Sequence, residues 1–177
     1  MQNWSGFIFL RHGQTDWNLE KRFQGQTDIP LNATGLLQAG DAARRLKCQR
    51  ISRVVSSPLI RALKTAAIVA EEISLPVHVD TQIRERSFGA FDGLIVPEVK
   101  RKHGLPLSEP SASILPPDAE QWPETLERTC EVFQKWNDAH PDGTTLFVAH
   151  DGIFGALCEI LAGPKLESKH GTPYAFQ

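Results

Sequence analysis

The sequence predicts an α/β fold in which a mostly parallel sheet carries helices on both of its faces. Three observations support this. Short strand-like runs recur at Phe7 to Leu10, Ile51 to Val55 and Thr144 to Ala149. After each, a polar loop leads into a stretch whose apolar residues return at helical spacing. The polar residues that interrupt the apolar runs fall at the carboxyl ends of the strands, where open parallel sheets bind ligands.

Phe7 to Leu10 is apolar throughout and breaks into Arg11-His12-Gly13, as a fully buried strand does on entering a loop. Thr34 is a candidate N-cap for a helix that buries Leu36, Ala39, Ala43 and Leu46. The strand Ile51 to Val55 ends at Ser56-Ser57. Pro58 suits the first position of the next helix, with Ser57 as its cap and Leu59, Leu63, Ala66, Ala70 and Ile73 inward. Val77 to Val79 reads as another strand, 84 to 93 as turns, and Val96 to Lys102 as a short helix.

Between Gly104 and Pro123, prolines at 106, 110, 116, 117 and 123 predict an ordered but irregular excursion, a candidate lid. Trp122, Leu126, Phe133 and Trp136 then share one helical face, which reads as core. After Thr144 to Ala149 comes the loop His150-Asp151-Gly152, with Asp151 as a candidate N-cap. A helix from Ile153 to Leu161 follows, closed by Gly163-Pro164.

The 177 residues form one expected domain, 1–177. A hydrophobic share of 41% and a charged share of 23% resemble ordinary soluble chains, which argues against wholesale disorder and a membrane-spanning fold. The net charge of −2 supplies no basic field for nucleic acid. The opening apolar run is too short for a signal peptide or a membrane span, so the chain is expected to be cytoplasmic. Cys48, Cys130 and Cys158 are scattered and odd in number, which suggests neither a disulfide framework nor a thiolate zinc site.

Four stretches carry a resemblance. Leu10-Arg11-His12-Gly13-Gln14-Thr15 is followed by Trp17-Asn18 and Phe23-Gln24-Gly25. Ser56-Ser57-Pro58-Leu59-Ile60-Arg61-Ala62 leads to Thr65-Ala66. Arg84-Glu85-Arg86-Ser87-Phe88-Gly89 comes third and Val148-Ala149-His150 last. Together, and in this order, they resemble the histidine phosphatase superfamily, in its phosphoglycerate mutase-like branch, over roughly residues 7 to 160. The resemblance implies a three-layer α/β/α sandwich and a phosphohistidine intermediate. It makes His12 the nucleophile and Arg11, Arg61, Glu85 and His150 its catalytic companions, with substrate contacts from Asn18, Gln24 and Gly25.

Elementary chemistry agrees. A phosphomonoester dianion repels nucleophiles, so a catalyst must offset its charge and hold the attacking atom in line. Arg11 and Arg61 offer forked, permanently charged donors matched to phosphoryl oxygens. Neutral imidazole is nucleophilic near physiological pH, and a covalent intermediate divides the reaction into two easier steps. His150 would stabilise charge on the phosphoryl oxygens, and Glu85 would serve as acid and then base if its pKa is raised. Glu71, Glu72 and Asp92 are rival carboxylates by position, and Gln24-Gly25 equally suits a plain turn. Arg22, Arg84 and Arg86 read as structural charges. No motif gives His78, His103, His140 or His170 a role.

The expected activity is hydrolysis of small phosphorylated metabolites, with no cofactor, no metal, no nucleic acid and no membrane partner. A cofactor-dependent phosphoglycerate mutase is the alternative, and a non-catalytic phospho-ligand binding module a lesser one. A metal-dependent hydrolase lacks HxH, HxxxH or DxD spacing, and two arginines sit awkwardly beside a cation. Against the mutase, Phe88, Ile95 and Val96 stand where the mutase pattern has tyrosine and an Asn-Lys pair. The chain also has no lysine or arginine from His103 to Glu127. Asp151, where many relatives have glycine, is the other departure.

Overall fold

Period-two alternation within the strands builds this molecule outward from its sheet. The computed structural model describes Trp4 and residues 6–139, 142–162 and 167–176. Five strands, β1 Phe7–Arg11, β2 Ile51–Ser56, β3 Val77–Val79, β4 Thr144–Ala149 and β5 Pro173–Phe176, lie in the order β3-β2-β4-β1-β5. All neighbours are parallel except β1 and β5, where Phe7 faces Phe176 in an antiparallel pair. The strand at 173–176 thus forms one edge of the sheet.

Successive side chains of a strand point to opposite faces, and each face has its own core. Phe7, Phe9, Val55, Phe147 and Ala149 point one way, against α5 Trp122–Asp138 and α6 Asp151–Ile160. Ile8, Leu10, Val54, Leu146 and Val148 point the other way, against α2 Ala33–Leu46 and α3 Ile60–Ile73. Such double-sided burial explains why β1 is apolar at every position rather than alternating. Two smaller helices, α1 Asp16–Leu19 and α4 Val96–Lys102, flank the carboxyl ends of the strands.

Several helix starts differ from the sequence reading, each for a tertiary reason. Asn32, not Thr34, caps α2: its side chain accepts from the Gly35 amide at 2.9 Å, and Leu36 turns outward. Helix α3 begins at Ile60, not Pro58. Ser57 Oγ does accept from the Leu59 amide, but the Ile60 amide is taken by Asp28 Oδ1 at 2.6 Å, from a distant loop. His150 occupies the N-cap of α6, and Asp151 is its first helical residue. The Gly163-Pro164 stop and His140 fall outside the described residues. The tryptophan stripe is only partly core: Thr125, Thr129, Val132 and Phe133 are the buried residues of α5, while Trp122 and Trp136 are half-buried under Arg86 and Arg53.

The excursion at 104–123 is irregular, with one 3-10 turn at Ser111–Ile114, and is pinned at both ends. The buried Lys100 ammonium donates to the carbonyls of Leu107, at 2.9 Å, and Glu109. At the other end the Glu120 carboxylate accepts from Arg128, and the Glu120 carbonyl accepts from Arg86 Nε at 2.7 Å. No helix among the described residues is long and apolar enough to cross a membrane.

Phe133 packs its ring on Trp4, Phe7 and Phe147, with 4.0 Å between the Phe133 and Phe147 centroids. Phe133→Ala should therefore cost about 3–5 kcal/mol of unfolding free energy in a urea titration, through lost transfer energy and the residual cavity. Leu37→Ala, at a side chain 72% exposed, should stay within about 0.5 kcal/mol.

Candidate active site

The loop after β1 is fixed by its backbone before any side chain acts. Gly13 donates its amide to Thr65 Oγ1 at 3.1 Å, and that hydroxyl donates to the Arg61 carbonyl at 2.8 Å. A Cβ on Gly13 would stand 2.3 Å from the Gly35 carbonyl oxygen, so only glycine lets this loop lie against the start of α2. The His12 amide continues the sheet by donating to the Ala149 carbonyl at 3.0 Å. The nucleophile candidate thus sits at the carboxyl end of an interior strand, on a loop held by backbone hydrogen bonds.

Arg11, His12, Asn18, Gln24, Gly25, Arg61 and Glu85 line one cavity of about 230 Å³ at the carboxyl ends of the strands. His150 lies directly behind, fully buried, with its ring 5.2 Å from that of His12. All eight residues singled out by sequence are thereby brought together. Glu71 and Glu72 instead flank a separate cleft on the far side of α3.

His12 is 3% exposed, and its Nδ1 is 2.7 Å from the Gly13 carbonyl oxygen. A carbonyl only accepts, so Nδ1 carries the hydrogen and Nε2 keeps its lone pair. Burial, then the Arg61 and Arg11 charges, hold the His12 pKa well below the usual histidine range. His150 is held low by burial and then by Arg61, and its Nε2 lies 2.8 Å from Ser57 Oγ. Both imidazoles are neutral at physiological pH.

The two guanidinium groups are anchored by their terminal nitrogens. Arg61 donates to the carbonyls of Thr27 and Gly25, each at 2.8 Å. Arg11 Nη1 donates to the Ser168 carbonyl at 2.9 Å and to Asp151 Oδ1 at 3.1 Å. Arg11 Nε, Arg61 Nε and His150 Nδ1 are buried without a hydrogen-bond partner. Buried polar groups are nearly always satisfied, and a multi-oxygen anion suits this set.

Glu85 is 8% exposed; its Oε1 accepts from the Arg86 amide at 2.8 Å and the Gly152 amide at 3.2 Å. Burial raises its pKa, helped by Asp151 and opposed by the Arg86 amide and Arg61. A Cβ on Gly152 would lie 2.3 Å from Oε1, so this carboxyl depends on glycine at the start of α6. Asn18 turns its amide oxygen to the Thr15 amide at 2.9 Å, which leaves its NH₂ as a donor. Gln24 and Gly25 form a turn, closed by the Thr27 amide on the Gln24 carbonyl at 3.0 Å. Gln24 nevertheless lines the cavity, its Oε1 accepting from Thr15 Oγ1 at 3.0 Å, and the Gly25 carbonyl holds Arg61.

Three participants escape the sequence reading. The His170 ring stands 5.5 Å from that of His12, and burial followed by Arg11 lowers its pKa to about 4. Ser168 holds Arg11 together with Asp151, whose carboxylate it also meets. Arg22, read as structural, lines the cavity while donating to the Gly93 carbonyl at 2.8 Å. Ser168 and His170 follow no motif and reach the site only because β5 lies beside β1. Among the described residues, no group of three His, Cys, Asp or Glu side chains is placed to hold a metal ion.

The sequence profile of the Histidine phosphatase superfamily (branch 1) matches residues 7–174. The "Uncharacterized phosphatase PhoE" of Bacillus subtilis is 35% identical over 161 residues, covering 90% of this chain and 79% of that protein. The "Phosphoglycerate mutase-like protein 4" of Arabidopsis thaliana is 33% identical over 163 residues, covering 89% and 71%. A mycobacterial glucosyl-3-phosphoglycerate phosphatase solved with VO3 superposes with a TM-score of 0.85 at 27% identity, covering 97% of this chain and 90% of the other.

The Glu85 geometry has a consequence for stability. Its folded pKa is raised, so its contribution is fully present below the ordinary carboxyl range and is lost as pH rises through the folded value. Glu85→Gln keeps an oxygen for the Arg86 and Gly152 amides and carries no charge. Thermal unfolding should show a higher Tm for Glu85→Gln than for wild type near pH 7.5, with the gap closing below about pH 4. An unchanged gap across that range would mean that the charge of Glu85 is not what the fold resists.

Proposed function

Because the chain belongs to the histidine phosphatase superfamily (branch 1), we propose that it hydrolyses small phosphate monoesters through a phosphohistidine at His12, without a metal ion. One observation carries this reading: a buried, neutral imidazole whose Nδ1 hydrogen is committed to the Gly13 carbonyl, beside two anchored guanidinium groups. Nε2 of His12 attacks phosphorus as the bond to the leaving oxygen breaks. Glu85 gives that oxygen its proton, and burial, by raising its pKa, favours the protonated form this step needs. Water then attacks the phosphohistidine, Glu85 takes a proton back, and the P–N bond breaks to release phosphate. Arg11, Arg61 and His150 stabilise the charge spread over the phosphoryl oxygens. Asn18 and Gln24 contact the substrate with their amides.

The mutase names among the relatives favour a second reading, in which the phosphoryl group returns to the glycerate. A mutase must hold a carboxylate and, transiently, a second phosphate. Here the excursion offers Glu109, Asp118 and Glu120 and no basic residue. Water therefore competes well for the phosphohistidine, and hydrolysis is the proposed outcome.

Rapid quench with labelled substrate should trap an acid-labile, alkali-stable phosphoenzyme in the wild type and none in His12→Ala; equal labelling of both would remove His12 as nucleophile. Chelator should leave turnover intact and vanadate should inhibit it. On 3-phosphoglycerate with 2,3-bisphosphoglycerate, phosphate release should outpace isomer exchange. Rapid interconversion without free phosphate would establish the mutase instead.

A further inference from the structure

A larger cavity, of about 680 Å³, adjoins the catalytic one. Phe23, Phe88 and Asp151 line both, so the second opens directly from the first. Asp151 is also a charge that raises the Glu85 pKa, and the Gly152 amide beside it binds that carboxyl. A leaving group that takes its proton from Glu85 therefore departs along Asp151 and Phe88 into the larger space. The volume is that of a ligand pocket rather than of a packing defect.

Its walls combine two chemistries. Phe23, Phe88, Leu115 and Trp122 supply apolar and aromatic surface, and Asp151, Glu159 and Glu167 supply carboxylates. Glu159 accepts from the Trp122 indole at 2.9 Å through Oε2 alone, which fixes the ring and leaves Oε1 as an acceptor. Asp151 shares its charge with Arg11. Among the described residues of the lining the one cation, Arg86, is already committed: Nε donates to the Glu120 carbonyl, the guanidinium lies 5.5 Å from the Trp122 ring, and Glu120, Glu85 and Glu124 act on it electrostatically. The excursion that closes this side adds no lysine or arginine.

We propose that this second cavity is a leaving-group pocket selective for an apolar or aromatic body that carries a positive charge, as in the phosphate ester of an amino alcohol or aminoalkyl phenol. The aromatic faces accept the body and, with the carboxylates, the cation. An anionic substituent of the same size meets three carboxylates, against which the described lining sets only the committed Arg86. This inference rests on the phosphomonoesterase reading above and extends it to the substrate class.

Three aryl phosphates of one size test it: 4-(2-aminoethyl)phenyl phosphate, 4-ethylphenyl phosphate and 3-(4-phosphonooxyphenyl)propanoate, with p-nitrophenyl phosphate as reference. In wild type, kcat/KM should rank cation above neutral above anion, with about tenfold or more between the extremes at low salt and less at high salt. Glu159→Gln/Glu167→Gln should shrink that ratio several-fold, and Glu167→Lys, at an exposed side chain, should move it further toward the anion. A flat or reversed ranking in wild type, or a ratio that neither variant moves, overturns the pocket and leaves the phosphatase standing. No turnover of any of the four overturns both.

Discussion

Burial of the Arg61 guanidinium is the constraint around which this molecule is arranged. Removing such a charge from water costs several kcal/mol unless its donors are met and its charge is balanced. The long loop between α1 and α2 meets that demand by presenting the carbonyls of Gly25 and Thr27. The same loop sends Asp28 to the first amide of α3, the helix that bears Arg61. The carboxylates of Glu85, Asp28 and Asp92 oppose the penalty electrostatically. Burial first, and then the Arg61 and Arg11 charges, hold both histidines below their usual pKa range.

The protonation states around the cavity are thus divided by sign. Burial pushes imidazoles down and carboxyls up, so one dry pocket favours the neutral form of both His12 and Glu85. The two are not independent, since Arg61 acts on both. Acid weakens the fold through the histidines, whose depressed pKa values give a contribution that is present above their ordinary range and lost as pH falls from there through the folded values.

The strands beside the site are legible in the sequence because a strand buried on both faces has no other way to look, and β1, β4 and most of β2 follow from their apolar runs alone. The short helix α4 is also readable. Arg11, His12, Arg61 and His150 stand out because polar residues follow those runs at the carboxyl ends of the strands, whereas Glu85 ends no such run and is readable chiefly through the resemblance of Arg84 to Gly89 to the family motif. What is not legible is whatever a distant residue decides. Asp28 moves the start of α3, Asn32 displaces Thr34 as a cap, and Asp151 turns from a cap into a partner of Arg11. His170 carries no local signal at all; only the antiparallel edge strand brings it to His12.

The order of the strands bears on how such a chain acquires activity as it is synthesised. Of the five strands, β1, which ends at Arg11 just before His12, is synthesised first, yet its two neighbours in the sheet, β4 and β5, are synthesised after the other three. Arg11 is clamped by Ser168, and its own carbonyl accepts the Gly171 amide at 3.0 Å, so the cradle closes only when the final described segment docks. Contacts so distant in sequence form late and carry a large loop-closure cost. A nascent or truncated chain ending before β4 has His12, the proposed nucleophile, but no pocket around it, so on the proposed reading it passes through translation without turnover.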